Sequence, residues 1–207
     1  MKVRIININN IDNSFQIMDE QRKKKMQSLK MEADRKRCLA SGFLLEEMCR
    51  ELGIAEPKFG HFQNGKPCLE NGESIAFNLS HSGEYAVLAY HVGPTPIGVD
   101  IQKIRPLHEG MKARILHEKE RVPNGLLAED ENVYLNRIWA IKESYVKMTG
   151  DGLRVDFRKI RIDFAKGIIE SENRQLGYFV EWMGLPGYIM SICTTKEQQG
   201  EIEFVIQ

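Results

Sequence analysis

Asp100, Gln102, Glu143 and Lys147 are the side chains whose types and spacing suit chemistry on a diphosphate. Carboxylate and amide oxygens are hard donors of the kind Mg2+ takes, and an ammonium supplies a point charge for phosphate oxygens that the cation leaves uncovered. For these groups to act together, two segments about forty residues apart must meet. The first, Pro96-Ile97-Gly98-Val99-Asp100-Ile101-Gln102, reads as a buried strand. Its β-branched residues alternate, Gly98 allows close backbone approach, and Asp100 and Gln102 share a face. The second, Trp139-Ala140-Ile141-Lys142-Glu143-Ser144-Tyr145-Val146-Lys147, reads as a helix with Glu143 and Lys147 on one face and Trp139 a turn earlier. Alone, a strand-end Asp is commonly a turn or cap residue, and a Glu/Lys pair four apart is commonly a solvated salt bridge. Their joint occurrence in this order carries the signal.

Taken together, these segments resemble the signature of the 4′-phosphopantetheinyl transferases, specifically the longer surfactin-type (Sfp-like) branch. That signature is a Gly-hydrophobic-Asp-hydrophobic-Glu strand, then Trp/Phe-x-x-Lys-Glu-Ser/Ala-x-x-Lys. Here the two read Gly98-Val99-Asp100-Ile101-Gln102 and Trp139 to Lys147. Ser144 and the following Gly150-Asp151-Gly152-Leu153 are similar to the subgroup that serves polyketide and nonribosomal peptide synthetases as well as fatty acid biosynthesis. The chain departs from the pattern at Gln102, where the family has Glu.

The resemblance implies an α/β (α+β) fold of two similar subdomains related by a pseudo-twofold, with coenzyme A between them. Gly93-Pro94-Thr95-Pro96 is the expected boundary. Residues 1–95 would be the subdomain for the phosphate and adenine side of coenzyme A, and 96–207 would carry the metal site and catalytic helix. That architecture implies a monomer.

Composition fits this reading. A chain of 207 residues with 42% hydrophobic and 28% charged residues can bury a good core. Its 29 basic and 29 acidic residues cancel, so no global field favours nucleic acid or a membrane surface, and neither is expected as a partner. Cys38, Cys49, Cys68 and Cys193 lack Cys-x-x-Cys spacing, which argues for reduced thiols rather than zinc. With no apolar leader or membrane-length run in the sequence, a cytoplasmic location is expected.

Along the chain, residues 3–8 read as a strand, and 12–19 lead into a helix. Eight basic residues follow: Arg22, Lys23, Lys24, Lys25, Lys30, Arg35, Lys36 and Arg37. By composition they make a solvated face or a local anion site. The resemblance implies contact with the 3′-phosphate of coenzyme A, by Arg37 just before the long helix and by Arg22, Lys24 or Lys25. Ala40 to Leu52 reads as that helix, stopped by Gly53. Phe62 to Pro67 is turn-rich. Its Gly65, Lys66 and Pro67 resemble the family's Gly-Lys-Pro or Gly-Arg-Pro, which implies that they line the adenine and phosphate end of coenzyme A.

Ile75 to Gly83 reads as a short strand opening into a polar turn, and Tyr85 to His91 as its return. Adjacent Ser80 and His81 would point to opposite faces, which argues against a hydrolase dyad. Asn78-Leu79-Ser80-His81-Ser82 is instead similar to the family's Asn-x-Ser-His-Ser, whose Ser and His contact the cofactor's phosphates. Leu107 to Asn132 is charged helix and loop, where the resemblance implies carrier-protein docking by Met111, Lys112 and Arg114. Asp130 to Met148 is the catalytic helix, stopped at Thr149-Gly150. Residues 160–164, 178–183, 188–193 and 202–206 read as strands of a mostly antiparallel sheet.

The implied reaction joins a serine hydroxyl of an apo acyl, peptidyl or aryl carrier protein to the β-phosphorus of coenzyme A and expels 3′,5′-ADP. Asp100, Gln102 and Glu143 would hold Mg2+, and Lys147 would meet the pyrophosphate. Glu143 is also the candidate general base, although a carboxylate on a cation is a weaker one. Two other classes stay open on residues alone: a coenzyme A-binding protein of the same fold with lost activity, and a structural α/β module with a solubilising basic face.

Overall fold

The computed structural model describes the chain apart from residues 12–14, 16, 18–19, 63, 72–73, 121–124, 126, 153–154, 173 and 199. Most of the expected 12–19 segment, and Leu153 of the Gly-Asp-Gly-Leu motif, therefore lie outside the described residues.

The chain begins with strand β1 (Lys2–Asn7), whose Val3 and Ile5 are fully buried, then helices α1 (Glu20–Ser28) and α2 (Glu32–Glu51). In α2 the buried residues Cys38, Ser41, Leu45, Met48 and Cys49 recur at helical spacing. The helix starts eight residues before the expected Ala40, so Arg37 lies within it and not ahead of it. No Gly or Pro interrupts 32–40, and the Arg35 guanidinium donates to the Leu29 and Lys30 carbonyls just outside the helix start. Its end is as expected. Gly53 takes a left-handed φ of 71°, and the Ile54 N–H reaches back to the Cys49 carbonyl at 2.8 Å.

Strands β2 (Phe59–His61) and β3 (Pro67–Leu69) form a small hairpin, and β4 (Ile75–Ser82) and β5 (Tyr85–Val92) a longer one. The Ser80-His81-Ser82 motif is not a turn. Its residues pair with Val87, Ala86 and Tyr85, so β4 runs on to the tight turn at Gly83.

The second half begins with β6 (Ile97–Lys103), followed by α3 (Glu109–Ile115) and α4 (Ala128–Thr149). After a 3-10 turn at Phe157–Lys159 come β7 (Ile160–Asp163), β8 (Ile168–Ser171), β9 (Gly177–Trp182) and β10 (Tyr188–Thr194), and then β11 (Glu203–Ile206). β8 has no counterpart in the sequence reading. Two isoleucines after the Gly167 turn are too short a run to stand out.

Two compact units result, residues 1–94 with 200–207 and residues 95–199. The first has the sheet β11-β1-β5-β4, with a core centred on Ile6, Leu44, Met48, Phe77 and Leu88. Residues 200–207 were expected in the second half. They belong to the first because β11 pairs in parallel with β1, Val3 opposite Phe204. The second unit has the antiparallel sheet β6-β10-β9-β8-β7, covered by α4. Ile138, Ile141, Tyr145 and Val146 of α4 are buried on it, each burial contributing roughly 1.5–3 kcal/mol. Gly98 sets how closely β6 meets α4. A Cβ there would sit 1.9 Å from the Ser144 carbonyl oxygen and 2.5 Å from the Met148 nitrogen, so only glycine permits the contact.

Candidate active site

The close packing of β6 on α4 brings the two sequence motifs together. Asp100, two residues beyond Gly98, is 3% exposed. The Lys147 ammonium of α4 donates to Asp100 Oδ1 at 2.6 Å and to the Val99 carbonyl at 3.1 Å. Gln102, on the same face of β6 as Asp100, donates its Nε2 to Asp100 Oδ2, also at 2.6 Å. One turn before Lys147, Glu143 is 8% exposed. Burial, with the Asp100 carboxylate nearby and Lys147 opposing, pushes its carboxyl up to about 7. Beneath them the Ser144 and Ser191 hydroxyls meet at 3.0 Å, tying α4 to β10.

The expected ligand set fits an oxygen-seeking cation. Asp100 and Glu143 offer carboxylate oxygens and Gln102 an amide oxygen. Two acids are buried here, Glu143 pushed up by burial first and by the Asp100 carboxylate second, and a cation would favour the charged form of both. Among the described residues there is no cluster of three or more His, Cys, Asp or Glu side chains suited to a metal. The set is thus two carboxylates and an amide.

Lys142, inside the same motif, faces elsewhere. It is fully buried and donates to the Ile115 carbonyl (2.7 Å), the Phe157 carbonyl (3.0 Å) and Glu120 Oε2 (2.5 Å). Glu120 in turn accepts the N–H groups of His117 (3.0 Å) and Ile162 (2.8 Å). Burial pulls the lysine's pKa down, and Glu120 opposes this. Sequence reasoning missed this pair. The signal was there: Leu135, Ile138, Lys142 and Tyr145 fall on one helical face. Trp139 packs on Phe157, ring centroids 5.6 Å apart, and so serves the fold.

In the first unit, Arg37 donates to Asp34 at 2.6 Å and to the Gly83 carbonyl at 3.0 Å, which holds it beside the turn that follows Ser82. Ser80 is buried and His81 exposed, as opposite faces of a strand require. Gly65 takes φ 84° in the β2–β3 turn, Lys66 is half-buried with its pKa pulled down to about 8 by burial, and Pro67 opens β3. Lys24 and Lys25 are exposed on α1, and Arg22 is half-buried there.

On α3, Lys112 is engaged by Glu109 (2.8 Å) and by Glu131 of α4 (2.6 Å), so it fastens two helices. Met111 and exposed Arg114 line an open groove with Ile115, Trp139, Val155 and Phe157. All four cysteines are free thiols. Among the described residues no helix is long and apolar enough to cross a membrane.

Comparison with known proteins agrees with this geometry. Residues 96–197 match the model of the 4′-phosphopantetheinyl transferase superfamily, and residues 8–93 match that of the 4′-phosphopantetheinyl transferase N-terminal region. The chain is 27% identical over 195 residues to the 4′-phosphopantetheinyl transferase ffp of Bacillus subtilis, covering 89% of this chain and 85% of the relative. It is 29% identical over 178 residues to a 4′-phosphopantetheinyl transferase of Bacillus pumilus, covering 81% and 75%. With the 4′-phosphopantetheinyl transferase Sfp of Bacillus subtilis strain 168 it shares 30% identity over 150 residues, covering 69% and 65%. Two family models that together span nearly the whole sequence make this chain a member of the 4′-phosphopantetheinyl transferase superfamily.

Proposed function

We propose that the protein transfers the 4′-phosphopantetheine group of coenzyme A to a serine hydroxyl of an apo acyl, peptidyl or aryl carrier protein. The new bond joins the serine oxygen to the β-phosphorus, the bond to the leaving phosphate breaks, and 3′,5′-ADP departs. The observation that carries this reading is the Lys147–Asp100 contact at 2.6 Å, with Glu143 buried one turn away. It unites an ammonium and two acids from distant segments at one point.

Asp100, Glu143 and the Gln102 oxygen would hold Mg2+. When bound, the ion neutralises pyrophosphate charge and stabilises the leaving group. Lys147 turns its charge to the phosphate oxygens, an electrostatic role that needs no change in its own protonation. Glu143 takes the serine proton, directly or through water. Burial first, and then the neighbouring Asp100, push its carboxyl up to about 7, which favours the base role, whereas a cation held by the same carboxylate would weaken it. Arg37, Lys24, Lys66, Ser80 and His81 are assigned to the phosphates of coenzyme A, and Gly65 and Pro67 to its adenine end. Met111 and Arg114 are assigned to the carrier protein, with Lys112 holding the helix that presents them.

The test is incubation of an apo carrier protein with coenzyme A and MgCl2. The expected result is one added phosphopantetheine by intact-mass measurement, lost in Asp100→Ala. A carrier of unchanged mass, with coenzyme A still bound saturably, would instead identify a binding protein of this fold. The intact Asp100, Glu143 and Lys147 set does not favour that reading.

A further inference from the structure

Gln102 is more than a neutral substitute for a ligand. Each oxygen of Asp100 accepts a hydrogen bond of 2.6 Å, Oδ1 from the Lys147 ammonium and Oδ2 from the Gln102 amide. Lys147 comes from α4 and Gln102 from β6, the strand of Asp100 itself, so the lysine ties helix to strand while the amide braces the carboxylate that receives it.

A carboxylate at position 102 could only accept. It would face Asp100 from the same side of β6, with buried Glu143 contributing a third acid against the single ammonium of Lys147. An amide carries a donor and an acceptor on one end, and half a turn about its last torsion exchanges them. The side chain that donates its N–H to Asp100 can thus, by that rotation, present its oxygen to a cation instead.

We propose that Gln102 is a stand-in donor: with Lys147 it holds Asp100 in the cation-free protein, so the strand–helix site is assembled before a divalent ion binds, and that ion is bound more weakly in consequence. This rests on the reading of the site as a Mg2+ site and deepens it by naming what keeps the site formed between turnovers.

The test compares wild type, Gln102→Glu and Gln102→Met by thermal unfolding in EDTA at fixed pH, and by calorimetric titration with MgCl2 and MnCl2, each with and without coenzyme A. In EDTA, Gln102→Glu is expected to melt about 3–8 °C below wild type, and Gln102→Met to fall between the two. Gln102→Glu should bind the ions about tenfold more tightly and gain the largest melting increase from them, whereas Gln102→Met gains no affinity. Equal melting of all three in EDTA, or Gln102→Glu melting highest there, overturns the proposal while leaving the cation site intact. Unchanged ion affinity in Gln102→Glu overturns it as well. If no protein binds either ion saturably under any condition, the reading as a cation site fails, and the proposal with it.

Discussion

Lys142 and Lys147 stand five residues apart on one helix, and each pairs with an acid, yet their surroundings assign them opposite work. Lys142 is wholly buried, and its three acceptors come from three other segments of the chain. No part of it is open to solvent. Lys147 keeps 26% of its side chain exposed and meets an acid that also accepts from Gln102, with Glu143 close by. A buried pair whose polar atoms are all matched fixes structure, whereas a partly open pair with surplus negative charge is suited to exchange partners. The helix therefore uses one lysine to set its position and the other to act from that position.

The sharpest way to break this comparison is Lys142→Ala. It would leave Glu120 buried without its cation, and the expected loss is about 3–5 kcal/mol of stability, read by urea unfolding. Lys142→Met with Glu120→Leu should recover only part of that loss. The backbone N–H groups of His117 and Ile162 and the carbonyl of Ile115 would lose the side-chain partners they have now, while the Phe157 carbonyl would keep the Ile160 N–H. A stable, inactive Lys142→Ala would move Lys142 to the chemical side of the comparison.

Next in size is the pH response of Glu143. Its folded pKa of about 7 lies above the ordinary 4.5, so the folded protein holds the proton more tightly than the unfolded chain does. The stability linked to that proton is full below pH 4.5 and is lost as pH rises through 7. The span corresponds to about 3 kcal/mol at most. In EDTA, wild type should lose melting temperature between pH 5 and 8, and Glu143→Gln should flatten that slope. Parallel slopes would assign the titration to another group.

Lys147→Ala comes after these. The expected effect is roughly a hundredfold lower kcat for transfer, with less stability lost than in Lys142→Ala. If the order of the two stability losses is reversed, the division of labour along α4 is wrong.

That division was only half legible in the sequence. Glu143, Lys147 and Asp100 could be found because their spacing on a helix and a strand is local information, and Gly98 announced the close approach that joins them. Lys142 was hidden by its type. A lysine is read as a surface residue until the apolar residues on its own helical face are counted against that reading. The early start of α2 was missed because charged residues 32–37 lack an apolar stripe, although nothing in them breaks a helix. No local pattern could assign β11 to β1, since that pairing joins the two ends of the chain. Gln102 read as a weakened ligand, and only the coordinates revealed it as a donor to Asp100.

Arg37 sharpens the comparison from the other unit, because it shares both kinds of work. Its bonds to Asp34 and the Gly83 carbonyl account for two of the five N–H donors of a guanidinium, and its side chain keeps 21% of its surface exposed. If the others meet the 3′-phosphate, Arg37→Ala should raise KM for coenzyme A about tenfold with kcat little changed, the mark of binding that is equal in ground and transition states. The control is 3′-dephospho-coenzyme A, which lacks the phosphate. The variant should use it as well as wild type does, so the two substrates converge in KM. A tenfold loss on both substrates would show that Arg37 acts through the Gly83 turn and belongs with Lys142, whereas loss on coenzyme A alone places it with Lys147.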